Sequence, residues 1–257
     1  MSSSSAATAW PRQNPGRAWR TLGIGKRLIL AACLAFLPGL AAAECRLALL
    51  LAIDISSSVD PAEDALQRGG LAVALLSPEV RAAAFSVSGE PVALAAFEWS
   101  GRYQQDVVLP WTLLLTAADL EAASARIAAS RRSYAEFPTA IGYALGFASV
   151  MFRDAPLCLR QTLDLSGDGE NNDGLDPQRA YGAFPLDRVT VNALSIGGHD
   201  ADLAGYYRRE LIRGPGAFVE EAESFADFER AMRRKLAREM AAPALSAVQT
   251  GNGARLK

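Results

Sequence analysis

The amino-acid sequence predicts an α/β fold: three layers, doubly wound, with a mostly parallel central sheet and helices on both faces. Two observations carry this reading. Strand-like and helix-like patterns take turns from residue 46 to residue 240, as they do when parallel strands are joined by crossover helices. The first strand pattern, Arg46 to Asp54 in "RLALLLAID", is an almost unbroken apolar run, which suits a central strand covered on both faces.

The elements follow in order. A helix is expected from Pro61 to Ser77, because Asp60 can cap it, Pro61 fits the first helical position and Glu63 stands three residues after the cap. Residues 90–99, "EPVALAAFEW", and 105–115, "QDVVLPWTLLL", read as a strand pair separated by "SGRYQ". An alanine-rich helix should span Ala117 to Ser130, and a second Ala140 to Phe152, where Gly142 and Gly146 allow close approach of its backbone. Then come a strand at Arg160 to Ser166, the loop "GDGENNDGLDP", a short helix near Gln178 to Phe184 and the strand "RVTVNALSI". A helix over Leu203 to Ile212, a short strand "GAFVEEA" and a helix from Phe225 to Met240 close the domain. The tail from Pro243 to Lys257 has little periodicity and is expected to be disordered.

The first 43 residues read as an export signal. Arg12, Arg17, Arg20, Lys26 and Arg27 lead into "LILAACLAFLPGL", and small residues follow at Ala41 to Ala43; the apolar run is short for a bilayer span. A lipoprotein signal at Cys33 is the competing reading, with too little apolar chain ahead of it. The expected organisation is therefore a signal peptide at 1–43, one domain at 44–241 and a tail at 242–257, placing the mature chain in the periplasm or outside the cell with no transmembrane segment. Beyond residue 43 there are 21 basic against 28 acidic side chains, which argues against nucleic acid as a partner. Two cysteines remain, Cys45 and Cys158, each at the start of an expected strand. If those strands are parallel neighbours, a disulfide is favoured over two unpaired core residues.

A greasy strand that ends in "DISSS" calls for a reason. Alternation in extended chain puts Asp54, Ser56 and Ser58 on one side. Capping of the next helix falls to Asp60, which leaves the serine hydroxyls over. Oxygen donors at this spacing suit a hard cation such as Mg²⁺. Further donors are sought beyond the carboxyl ends of the strands, where open parallel sheets bind their ligands: Thr139, entering a helix, and Asp168, just after a strand.

These residues resemble the D-x-S-x-S signature of the von Willebrand factor type A domain, whose metal ion-dependent adhesion site adds a threonine and an aspartate from two further loops. Segments such as "FEWSG", "VVLPWT", "TAIGYALGFA", "DLSGDGENNDG" and "YYRRELIRGPGAFVE" resemble a bacterial family of exported, functionally uncharacterised proteins within that superfamily. The resemblance implies a Rossmann-like domain holding Mg²⁺, or Mn²⁺ or Ca²⁺, through Asp54, Ser56, Ser58, Thr139 and Asp168. It also implies a binding protein rather than an enzyme, whose partner is a protein presenting a carboxylate.

Other readings stand beside it. Ser58 and Thr139 also suit local backbone capping. Asp168, Asn172 and Asp173 suit a calcium loop, although the closing Glu of the helix–loop–helix pattern is missing. Asp164 reads as a structural acid, Trp99 and Trp111 as packing, and Arg230, Arg233, Arg234 and Lys235 as a solvated helix face. A serine hydrolase would have His199 as its one possible histidine base, but no nucleophile-elbow or zinc motif accompanies it; a metal-assisted hydrolase with Asp54 as nucleophile would find Ser56 and Ser58 strange companions. A scaffold whose loops are stiffened by metal is the third class.

Overall fold

A computed structural model describes residues 44–197 and 202–241. The expected signal segment, His199 and the tail from residue 242 lie outside them. The described chain runs β1 (Cys45–Asp54), α1 (Pro61–Leu76), α2 (Pro78–Ala84), β2 (Val92–Trp99), β3 (Gln105–Leu114), α3 (Ala117–Ala129), α4 (Ile141–Arg153), β4 (Cys158–Gly167), α5 (Pro177–Ala183), β5 (Val189–Ile196), α6 (Leu203–Tyr206), β6 (Val219–Ala222) and α7 (Phe228–Met240). The strands form one sheet in the order β3-β2-β1-β4-β5-β6. Only the β2–β3 pairing is antiparallel.

β1 is central and buried along its whole length, and its two faces feed two cores. Leu47, Leu49, Leu51 and Ile53 pack with Leu71 and Leu75 of α1, Ile127 of α3 and Phe228 and Leu236 of α7. Ala48, Leu50 and Ala52 pack with Ile141 and Leu145 of α4, Tyr181 of α5 and Leu203 of α6. The unbroken apolar run from Leu47 to Ile53 is what a strand between two helical layers requires. The small residues on the second face admit α4, whose Gly142 lies so close to the Leu175 carbonyl that a Cβ there would meet it at 2.1 Å.

Cys45 and Cys158 are register partners on the neighbouring parallel strands β1 and β4 and form a disulfide with Cα atoms 4.5 Å apart. It ties the amino ends of the two central strands.

Three elements differ from expectation. The first helix ends at Leu76 beside the expected limit of Ser77, but a second helix follows at Pro78–Ala84 that was not expected, capped by Ser77 and begun by Pro78. The helix expected over Leu203 to Ile212 is α-helical only as far as Tyr206 and widens into a π turn at Tyr207–Leu211. Phe225–Asp227 form a separate 3-10 turn ahead of α7. Among the described residues no helix is long and apolar enough to cross a membrane.

Candidate metal centre

The five predicted donors gather at the carboxyl edge of the sheet. Asp54 is the last residue of β1, and its Oδ1 accepts the backbone N–H of Ser56 at 2.7 Å. That bond turns the chain so that the Ser56 and Ser58 hydroxyls lie 3.0 Å apart, and Ser58 Oγ donates to Asp168 Oδ1 at 2.7 Å. Asp168 follows the end of β4, the strand beside β1. Thr139 stands just ahead of α4, and its Oγ1 lies 3.7 Å from where a Cβ on Gly169 would be. A Cβ on Gly167 would meet Asp54 Oδ2 at 2.8 Å, so glycine at 167 keeps that carboxylate's niche open.

Asp60, not a serine, caps α1: its Oδ1 accepts from Ala62 and Glu63, and Glu63 returns a bond to the Asp60 N–H. The Ser58 hydroxyl goes to Asp168 instead of to the helix. The capping alternative for Thr139 also fails, because α4 has Ala140 at its cap position and no side-chain cap bond. The calcium-loop alternative is overturned by where its oxygens go. Asn172 Oδ1 accepts the Thr139 N–H at 2.9 Å, and Asp173 is held by Arg102 at 2.6 Å; both serve to fix loops.

Several supporting residues were not singled out from the sequence. Arg132 donates to the carbonyls of Ile55, Ser56 and Val59 at 2.8, 2.8 and 2.5 Å, pinning the serine loop from outside. Gln67 of α1 donates to the Asp54 carbonyl at 2.8 Å and meets Ser166 Oγ at 3.3 Å, so it bridges β1 and β4 beneath the site. Tyr207 donates to the Gly169 carbonyl at 3.0 Å. Arg132 has no local sequence signal for this role, because the serine-loop carbonyls it holds are more than 70 residues away.

Electrostatics give the site its character. Asp54 and Asp168 are 0% and 1% exposed. Burial first, and the Asp168 carboxylate second, push the Asp54 carboxyl up to about 7, while hydrogen bonds from Ser56 and the Asp168 backbone pull the other way. Among the described residues, Asp54 Oδ2 accepts no hydrogen bond and neither Lys nor Arg pairs with Asp54. A buried carboxylate oxygen without a donor is costly unless something positive meets it. The donors are all oxygens, two carboxylates and three hydroxyls, as a hard divalent cation prefers. No group of three or more His, Cys, Asp or Glu side chains suited to a metal occurs among the described residues. The five donors bring neither nitrogen nor sulfur, the ligands that softer ions seek. The residues present fit Mg²⁺ or a similar ion.

Asp164 lies away from this edge and pairs with Lys235 Nζ at 2.7 Å, as a structural acid. Arg230, Arg233 and Arg234 are surface ion-pair partners as expected, but Lys235 is fully buried. The reading of that whole run as a solvated face is corrected: helical spacing turns Lys235 inward with Leu236 and Glu239, where two carboxylates receive it. Trp99 is fully buried, and Trp111 donates to the Met151 carbonyl at 2.9 Å, so both are packing residues.

Comparison with solved structures agrees with this fold. A von Willebrand factor type A protein from Catenulispora acidiphila superposes with a TM-score of 0.55 at 18% identity, covering 76% of this chain and 43% of that one. Proximal thread matrix protein 1 from the mussel byssus, in a structure described as having a zinc-occupied MIDAS motif, gives 0.56 at 16% identity, covering 76% and 48%. The pilus adhesin SpaC from Lactobacillus rhamnosus GG gives 0.53 at 14%, covering 76% and 31%. The chain thus spans less than half of each of these proteins, and the likeness is one of fold. No curated protein matches the sequence. The profile of DUF1194, described as a protein of unknown function, matches residues 44–244: the chain belongs to that family and has the von Willebrand factor type A fold.

Proposed function

We propose that this chain is an exported binding protein that recognises a protein partner through a divalent cation, Mg²⁺ with Mn²⁺ or Ca²⁺ as alternatives. Asp54, Ser56, Ser58, Thr139 and Asp168 would hold the ion. The observation that carries the proposal is the buried Asp54 Oδ2, without a donor among the described residues and set beside hydroxyls that reach Asp168. Three of the five donors are neutral, so a bound cation would supply unspent attraction for an acceptor oxygen from outside. A carboxylate on the partner is the ligand that this arrangement favours. Asp54 and Asp168 set the charge, Ser56 and Ser58 orient the two, and Arg132 and Asn172 hold the loops that present them.

Von Willebrand factor type A domains are often protein-binding modules, and the disulfide suits an oxidising compartment. A binding role is preferred because Asp54, Ser56, Ser58, Thr139 and Asp168 make an all-oxygen donor set, and Arg132 and Asn172 support the loops that carry it. The test is capture of partners from periplasmic extract by the full chain, with Mg²⁺ or with chelator, beside Asp54→Ala. A partner retained only with metal and only by the native chain is the expected result. Retention indifferent to metal and to Asp54→Ala, or turnover of ester or phosphate substrates lost with Asp54→Ala, would overturn it.

A further inference from the structure

The opposite edge of the sheet, at the amino ends of β4 and β5, carries a separate pocket of about 330 Å³. Its walls include Arg160, Arg188, Arg238, Thr190, Asn192 and Phe218. Three guanidiniums around one hollow are unusual in a chain with more acids than bases, and their pairing makes them more so. Along α7, Arg230, Arg233 and Arg234 have acid partners in Asp227, Glu229 and Glu220. Among the described residues Arg238, Arg160 and Arg188 pair with no carboxylate.

Glu239, which also lines the pocket, does not cancel them. It is committed to Lys235 at 2.6 Å and to Asn192 at 2.7 Å. Burial, then the nearby Asp164 carboxylate, push it up to about 8.

The arginines are also placed at a cost. Burial lowers Arg160 below the usual guanidinium range. The buried guanidinium of Arg46, which donates to the carbonyls of Met240, Ala83 and Ala84, is lowered by burial and then by the charge of Arg160. Arg238 sits over the Phe218 ring, its guanidinium carbon 3.6 Å from the centroid, a contact made by the guanidinium face that does not use its N–H donors. Planar guanidiniums match oxyanions by forked hydrogen bonds.

We infer that this pocket binds a small multivalent oxyanion, a di- or tricarboxylate or a phosphate, through Arg160, Arg188 and Arg238. The site is independent of the metal centre. Succinate, citrate and inorganic phosphate, each titrated calorimetrically into the metal-free full chain, separate the carboxylate source from the phosphate source. At least one should bind saturably with one site per chain. Arg188→Gln and Arg238→Gln, both at exposed positions that leave the core intact, should each weaken that binding tenfold or more, as should Arg160→Gln where it folds. Arg230→Gln, on the same helix but paired to Asp227, should leave it unchanged. Absence of saturable binding for all three probes, or equal binding by Arg238→Gln, Arg188→Gln and the native chain, would overturn the inference.

Discussion

Two pairs of buried carboxyl groups sit on the same sheet and are treated differently. Asp164 on β4 and Glu239 on α7 share the ammonium of Lys235, at 2.7 and 2.6 Å, and Asn192 donates to Glu239 as well. Buried oxygens without a hydrogen-bond donor occur in both pairs, but Asp54, beside Asp168 at the carboxyl edge, meets no Lys or Arg among the described residues. The first pair carries its cation in the sequence. The second is arranged as though its cation arrives from solution, and that contrast separates a structural network from a binding site even though both are equally dry.

Removing the built-in cation breaks this contrast most forcefully. Lys235→Met leaves the Asp164 carboxylate buried without a counter-charge, and unfolding in urea should show a loss of about 3–5 kcal/mol. If the variant is as stable as the native chain, the network is not held by charge.

A second effect follows from Glu239. Asp164 from β4, Asn192 from β5 and Lys235 from α7 face it, and its carboxyl is raised from an ordinary 4.5 to about 8, by burial and then by Asp164. The folded chain keeps a proton that the unfolded chain releases near pH 4.5. The stability it contributes is therefore complete below that pH and is lost as pH rises through about 8. Denaturation curves should lose roughly 2–4 kcal/mol over that window, since each pH unit between the two titration points is worth at most about 1.4 kcal/mol. Glu239→Gln should flatten this loss, and an unchanged slope would contradict the assignment.

The smallest effect sharpens the other side. In metal-free buffer Asp54→Asn should be more stable than the native chain by about 1–2 kcal/mol, because it removes a buried charge next to Asp168. Thermal melts with chelator read this directly, and destabilisation of that size would mean that Asp54 is a structural acid like Asp164.

Much of this was legible from residues with local signals. β1 is apolar from Leu47 to Ile53 because both faces are covered there, and that run places it centrally. The starts of the Cys45 and Cys158 strands announce the disulfide once the strands are parallel neighbours. Asp60, Pro61 and Glu63 declare the helix start and so release Ser56 and Ser58 for another role. Lys235 was hidden because its meaning depends on Asp164, far off in the chain, and a lysine among arginines reads as surface. The short helix at Pro78–Ala84 was signalled by Ser77 and Pro78 as cap and first residue, but seven residues are too few to show a helical period. Arg132 and Gln67 could not be read, since backbone carbonyls leave no mark on sequence.

The most direct test is titration calorimetry of Mg²⁺ and Mn²⁺ into the chelator-stripped full chain, with Asp54→Asn alongside. One saturable site per chain, absent from the variant, is predicted. No uptake of either ion by the native chain, or equal uptake by Asp54→Asn, would contradict the claim that the edge around Asp54 is built for a cation from outside.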